Sequence, residues 1–325
     1  MEKIQVDNAL IKQFHVWFNQ DDLAPMHEQL ADMYPQDIAA VIDRLENEQA
    51  RRVMNGLEKE TVVKVLVEMD ETQRESFLSA YTPFEIANEF IENMDSDDAA
   101  YVLNHFPNAV KEEVISQLQD IDYASSLLNL ISYEEDTAGS LMAVELIKVN
   151  RNWTVSQCIE EIRLQAELED NIYAVYVVDD LERLVGLITL KKLILSQPDT
   201  PVSEVYNEEV ISVPASTKID EVANITKKYD LVVLPVVDPL GRLIGRITVD
   251  DVVDLIKEEA DEDYQLMSGI TEDVDATDKV WVLSRARLPW LLIGLFGGIA
   301  SSRFLGLYEN QIMIHPEMAF FIPLI

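Results

Sequence analysis

A 24-residue pattern occurs twice in this chain, and it limits the fold more than any other feature of the sequence. NIYAVYVVDDLERLVGLITLKKLI, from Asn171, aligns with DLVVLPVVDPLGRLIGRITVDDVV, from Asp230. Asp179 falls over Asp238, Gly186 over Gly245 and Thr189 over Thr248. Upstream, LIKVNRNWTVSQCIEEI aligns with VISVPASTKIDEVANI. The runs YAVYVV and LVVLPVV are continuous and rich in β-branched residues, as buried strands are. Asp238 to Gly241 has the chemistry of a turn. Each copy therefore predicts strand, helix, strand, turn, strand, helix. Cys158 falls on the apolar side of the first copy's helix, as a core residue would. It is the only cysteine, which excludes an internal disulfide and fits a reducing compartment.

Before this pair, from Tyr34, a different repeat recurs about every twelve residues. Its units are YPQDIAAVIDRL, ENEQARRVMNGL, EKETVVKVLVEM, DETQRESFLSAY, TPFEIANEFIENM and DSDDAAYVLNHF, ending on Leu45, Leu57, Met69, Tyr81, Met94 and Phe106. Ala50, Val53, Met54 and Leu57 show the internal spacing, which is one stripe of a helix. Asp, Glu or Thr at the unit starts suit helix caps, and Thr82-Pro83 puts proline at a first helical position. Helices this short are marginal alone, so neighbours must stack to bury their stripes. The expectation is an all-α superhelix of the kind that binds a protein surface. His15, His27 and His105 are scattered and read as structural. Asp95, Asp97 and Asp98 cluster at a helix start, where they serve either as cap and dipole partners or as a face for cations.

The formal net charge is -35. Nucleic acid and anionic lipid are both polyanions, so this balance argues against them and favours cations as ligands. The negative charge lies almost entirely before the apolar end and is dense in Asp250 to Asp263, DDVVDLIKEEADED, where Val253, Leu255 and Ile256 form an apolar side. Carboxylates three or four apart on a helix repel, so such a helix is strained until a cation neutralises it. After Lys279 the only acids are Glu309 and Glu317. No charge lies between Arg287 and Arg303, and LPWLLIGLFGGIA is densely apolar. With Trp281, Trp290, Arg285 and Arg287 as interfacial anchors, a first membrane helix is expected from 288, with the preceding domains cytoplasmic. The GLFGG and SS small residues suit close helix packing in lipid. PEMAFFIPLI begins a second apolar run, and the sequence is expected to continue beyond Ile325. The N-terminus has no apolar signal-peptide core.

The duplicated unit resembles the CBS domain pair, in which adenine nucleotides commonly bind between the copies. The family's Gly-x-x-Thr-x-x-Asp signature is present as Gly245, Thr248 and Asp251, which the resemblance implies as nucleotide-binding residues. The first copy has Gly186 and Thr189 but Lys192 in place of the acid. The order of short-helix repeat, CBS pair, acidic helix and apolar segment, with EEDTAGSLM at Glu134 to Met142, resembles the MgtE family of magnesium channels over essentially the whole chain. That resemblance implies an α+β multidomain protein. Its parts would be a helical N domain (1–132), CBS domains (133–200 and 201–263), a connecting plug helix (264–287) and the start of an α-helical membrane domain (288–325). It implies a homodimeric, multi-pass cell-membrane protein, not an enzyme, whose cytosolic acids sense Mg²⁺ and close the pore, with ATP in the CBS pair. The metal residues implied are Asp97, Asp220, Asp230, Asp251, Asp254, Glu259, Glu262 and Asp263. Tyr101 and a position near Lys64 fall where the family carries acids. The alternatives are a membrane-associated CBS sensor of adenine nucleotide and a transporter of another divalent cation. No Gly-rich phosphate loop, His/Cys metal pair or nucleophile with a nearby base is found.

Overall fold

The structure is a computed structural model and describes residues 6, 8–20, 23–165, 172, 174–267 and 280–307. It divides into two compact units, Met1–Val252 and Val253–Ile325.

The first unit begins with short helices: α1 (Asn8–Gln20), α2 (Ala24–Ala31), α3 (Pro35–Ile42), α4 (Asn47–Met54), α5 (Lys59–Glu68), α6 (Glu71–Leu78), α7 (Pro83–Glu85), α8 (Ser96–Asn104), α9 (Asn108–Ser116) and α10 (Ile121–Ile131). Each twelve-residue unit gives one of the helices α3 to α8, and α7 runs on through a wider π turn, Ile86–Phe90. The stripes meet in one core in which Ile38, Ile42, Val53, Leu66, Leu78, Ile91 and Leu103 are fully enclosed. Leu45, Met69 and Met94 are buried at the unit ends, while Leu57, Tyr81 and Phe106 pack half-buried at the margin. Only some unit starts cap as expected. Asp70 accepts from the N–H groups of Thr72 and Gln73 at 3.0 and 3.3 Å. Thr82 and Glu85 form a reciprocal capping box ahead of Pro83. Glu46, Glu58 and Asp95 stand at cap positions without a side-chain cap bond.

The CBS pair follows α11 (Ala138–Leu141). Its first copy is β1 (Ile147–Asn150), α12 (Val155–Gln165), β2 (Val175–Val178), β3 (Leu184–Ile188) and α13 (Leu190–Leu195). The second is β4 (Val213–Pro214), α14 (Ile219–Tyr229), β5 (Val233–Val237), β6 (Leu243–Thr248) and α15 (Val249–Met267). In each three-stranded sheet the first pair is parallel and the second antiparallel, with a register shift at the equivalent step, Val177/Val178 and Val236/Val237. Gly241 holds the left-handed turn of the second hairpin at φ +78°, and Glu182 takes that place in the first at φ +59°. The copies meet edge to edge, with Leu184 N–H donating to Gly241 O and Leu243 N–H to Glu182 O, both at 3.0 Å. Tyr176, Val178 and Leu243 form the apolar seam beneath.

Although the first copy follows the helical domain in sequence, that domain shares its core with the second. Ala138 and Met142 join the helical core to Val213, Val222, Leu234, Val236, Ile247 and Val252. The first copy has a separate core containing Val149, Cys158, Val175 and Ile188. Residues 136–143 are stitched to the second copy: Ala138 N–H donates to Thr217 O and Gly139 N–H to Ala215 O at 2.8 Å, and Ala143 and Arg246 exchange both backbone bonds at 2.8 Å.

In the second unit the acidic stretch is helical, as expected, and α15 carries it on to Met267. Residues 268–279, within the expected plug helix, lie outside the described residues, and α16 (Val280–Leu307) covers the rest of it. The expected first membrane span falls on α16. Among the described residues no helix is long and apolar enough to cross a membrane. Arg287 and Arg303 leave only residues 288–302 uncharged, against the about 20 that a span needs, and Pro289 lies inside the helix. Trp290, Leu291, Ile293 and Phe296 are exposed on it. PEMAFFIPLI lies outside the described residues.

Gly245 shows how tightly the second copy is packed. A Cβ there would stand 2.6 Å from Met142 Sδ and 2.8 Å from the Ala143 carbonyl oxygen. Denaturant unfolding of Gly245→Ala is expected to show a loss of about 1–3 kcal/mol, the usual cost of overpacking against backbone. Gly241→Ala meets open space and carries only the left-handed strain of about 1–2 kcal/mol.

Candidate regulatory metal site

The start of α8 and the start of α15 bring like charges together. Asp97 and Asp98 occupy the first turn of α8, where the free N–H groups of the helix favour anions. Asp251 occupies the first turn of α15, and Glu145 comes from the segment between them in space. Burial pushes the Asp97 carboxyl well above the carboxylate range, and the charges of Asp98, Asp251 and Glu145 push it further. Burial, Asp95, Asp251, Glu68 and Glu145 raise Asp98 to about 7. Asp251 is raised by burial as well, although hydrogen bonds from Thr248 oppose the shift. The Tyr123 phenol, held by the carbonyls of Ile91 and Met94 at 3.1 and 2.9 Å, is raised by burial and by the same acids. Asp95 does not cap α8, so its charge adds to the field rather than closing the helix end.

Such carboxylates can gain a proton or a cation, and each relieves the same repulsion. As they stand, no three His, Cys, Asp or Glu side chains among the described residues converge closely enough to hold a metal ion. The donor chemistry nevertheless suits a hard ion that keeps waters of its own.

The expected metal residues divide into groups. Asp97 and Asp251 come together across the domain contact. Asp220 lies exposed in the first turn of α14 and Asp230 at its left-handed C-cap, φ +50°, so the two stand about 15 Å apart along the helix and cannot share an ion. Asp254 is exposed one turn beyond Asp251. Glu259, Glu262 and Asp263 lie on α15, with side chains outside the described residues. Glu145 had no signal in the sequence, being a single polar residue between Val144 and Leu146, and Ser96 was hidden among the acids of the Asp95 to Asp98 run. Asp98 was visible only as part of a run.

The nucleotide signature is occupied by local structure. Thr248 donates both its N–H, at 3.1 Å, and its hydroxyl to Asp251 Oδ2. Gly245 faces Met142 and Ala143. Among the described residues, the Tyr176 hydroxyl is a buried polar atom without a partner in the seam between the copies, and it lies near Arg246.

A helical N domain thus shares its core with the second copy of a CBS pair, and the carboxylates of α8 and α15 are near enough to raise one another. Residues 33–136 match the MgtE intracellular N domain, and residues 138–199 and 202–258 each match the CBS domain. The magnesium transporter MgtE of Thermus thermophilus is 33% identical over 316 residues, 94% of this chain and 68% of the relative. That of Bacillus subtilis is 27% identical over 294 residues, 90% of this chain and 65% of the relative. A crystal structure of the cytosolic domain of the Mg²⁺ channel MgtE in complex with ATP superposes with a TM-score of 0.70 and 33% identity, covering 75% of this chain and 99% of that one. The soluble part of a magnesium transporter gives 0.67 and 27%, covering 77% and 98%. The chain belongs to the MgtE family of magnesium transporters, and it spans about two thirds of the length of these relatives.

The raised carboxyls fix a pH dependence. A carboxyl raised in the folded state binds its proton there before it does in the unfolded chain. Stability without metal therefore falls as pH rises out of the ordinary carboxylate range and on through about 7, where Asp98 gives up its proton. Thermal melts in chelator across that range are expected to show this decline, and Asp98→Asn should flatten much of it.

Proposed function

We propose that this chain is the sensing and gating portion of a homodimeric, Mg²⁺-gated magnesium channel of the cell membrane, with its N-terminal domains in the cytoplasm. The observation that carries this reading is the set of mutually raised carboxyls on α8 and α15. Two carboxylates about 6 Å apart repel by on the order of 3 kcal/mol at an effective dielectric of 20. Several such pairs favour separation of the helical domain from the second CBS copy. A magnesium ion, with its octahedral shell of oxygens, bridges carboxylates through its own waters and reverses that preference. Asp97 and Asp251 would hold it at this contact, while Asp220, Asp230, Asp254, Glu259, Glu262 and Asp263 would serve other ions or a second subunit. At high cytosolic Mg²⁺ the domains close, the helices leading to the membrane settle and conduction stops. At low Mg²⁺ the domains loosen. This is a population shift set by differential affinity of the ion for two states.

ATP is a proposed further ligand of the CBS pair. The buried, unpartnered Tyr176 hydroxyl beside Arg246 suits a polar ligand between the copies, and the 33%-identical structure is an ATP complex. The nucleotide would supply no chemistry here; it would add contacts across the seam.

Limited proteolysis with and without millimolar Mg²⁺ tests the sensor. Mg²⁺ is expected to protect the chain, and Asp251→Ala with Asp254→Ala should demand several-fold more of it. Cleavage indifferent to Mg²⁺ would refute the proposal.

A further inference from the structure

The acids of α8 and α15 repel, yet they are held in register by Ser96 and by Glu145, which also adds its own charge to the cluster. Ser96 is the first residue of α8 and is completely buried. Its hydroxyl donates to Glu145 Oε2 at 2.7 Å, its N–H reaches the same oxygen at 3.3 Å, and its Oγ accepts from Val144 N–H at 2.9 Å. One serine thus fixes the start of α8 to residues 144 and 145 by three hydrogen bonds. Those residues are in turn fixed to the second CBS copy. Ala143 and Arg246 exchange two backbone bonds at 2.8 Å, and Arg246 Nε donates to Glu145 O at 2.5 Å. Arg246 lies on β6, two residues before Thr248, which grips Asp251. A chain of part-buried hydrogen bonds therefore runs from the helix bearing Asp97 to the helix bearing Asp251.

We infer that Ser96 and Glu145 are positioning residues, a clasp that keeps the two acid-bearing helix starts tethered to each other when the domains loosen. The inference rests on the Mg²⁺-sensor reading and adds to it where the domains stay joined. The helical domain pivots about residues 143–146 and does not detach. A bond from a neutral hydroxyl to a carboxylate in a buried place is strong because both groups lose water whether or not they pair. Without the clasp, the cation must supply the free energy of bringing the helices together as well as neutralise them, so more cation is needed for closure.

The test is a Mg²⁺ titration of protease protection on the full chain in detergent, for the wild type, Ser96→Ala and Glu145→Gln, with a thermal melt of each at saturating Mg²⁺. Ser96→Ala is expected to raise the Mg²⁺ midpoint threefold or more while protection at saturation is restored. Glu145→Gln keeps an amide oxygen for the Ser96 hydroxyl and is expected to shift the midpoint less than Ser96→Ala. An unchanged midpoint in Ser96→Ala, beside a normal wild-type titration, overturns the clasp. A larger shift in Glu145→Gln than in Ser96→Ala also overturns it, because Glu145 would then act through its charge and not as the partner of Ser96. A wild type that shows no Mg²⁺ protection refutes the sensor reading itself, a separate result.

Discussion

Repulsion between half-buried carboxylates is the interaction on which the arrangement of this molecule turns. Left alone, Asp97, Asp98 and Asp251 would drive α8 away from α15, because burial strengthens their mutual field. The apolar core shared by the helical domain and the second CBS copy opposes that drive, together with the hydrogen bonds of residues 136–146. Cohesion and repulsion therefore act at one contact. A contact balanced in this way is sensitive to any change in the charge of those carboxyls, whereas a purely apolar one would stay shut and a purely acidic one would stay open.

The second CBS copy carries the burden that the first does not. It supplies Asp251, receives the helical domain and leads into the long acidic helix. The first copy has Lys192 where the second has Asp251, and its core is separate. Duplication has left two similar frames with different duties. Asp251 belongs to both the nucleotide signature and the expected metal set. The structure shows one of its oxygens gripped by Thr248, which holds the carboxylate in place as the helix begins.

Much of this was legible in the sequence, because it depended on periodicity. The helices α3 to α8 follow the twelve-residue stripe, and both CBS sheets follow the aligned strands. Cys158 lies in the core where its helix face placed it. The caps were less legible: Glu46 and Glu58 are acids at helix starts, but the longer glutamate side chain caps poorly. The expected metal residues could be named but not grouped, since grouping depends on tertiary contact. Asp220 and Asp230 look close in sequence and stand at opposite ends of a helix. Glu145 carried no local sign at all, because its role comes from Ser96, 49 positions earlier.

The helical domain rests on the later of the two copies, and this has a consequence for biosynthesis. Glu145 and its partner Arg246 are 101 positions apart, with the whole first copy between them. At a ribosomal pace of about 5–20 residues per second, the apolar flank around Ala138 and Met142 waits on the order of ten seconds for its cover. During that interval the first copy, with its own enclosed interior, can fold unaided and act as a spacer. Nascent helices with an uncovered flank are the natural clients of chaperones, and here that need is written into the order of the gene.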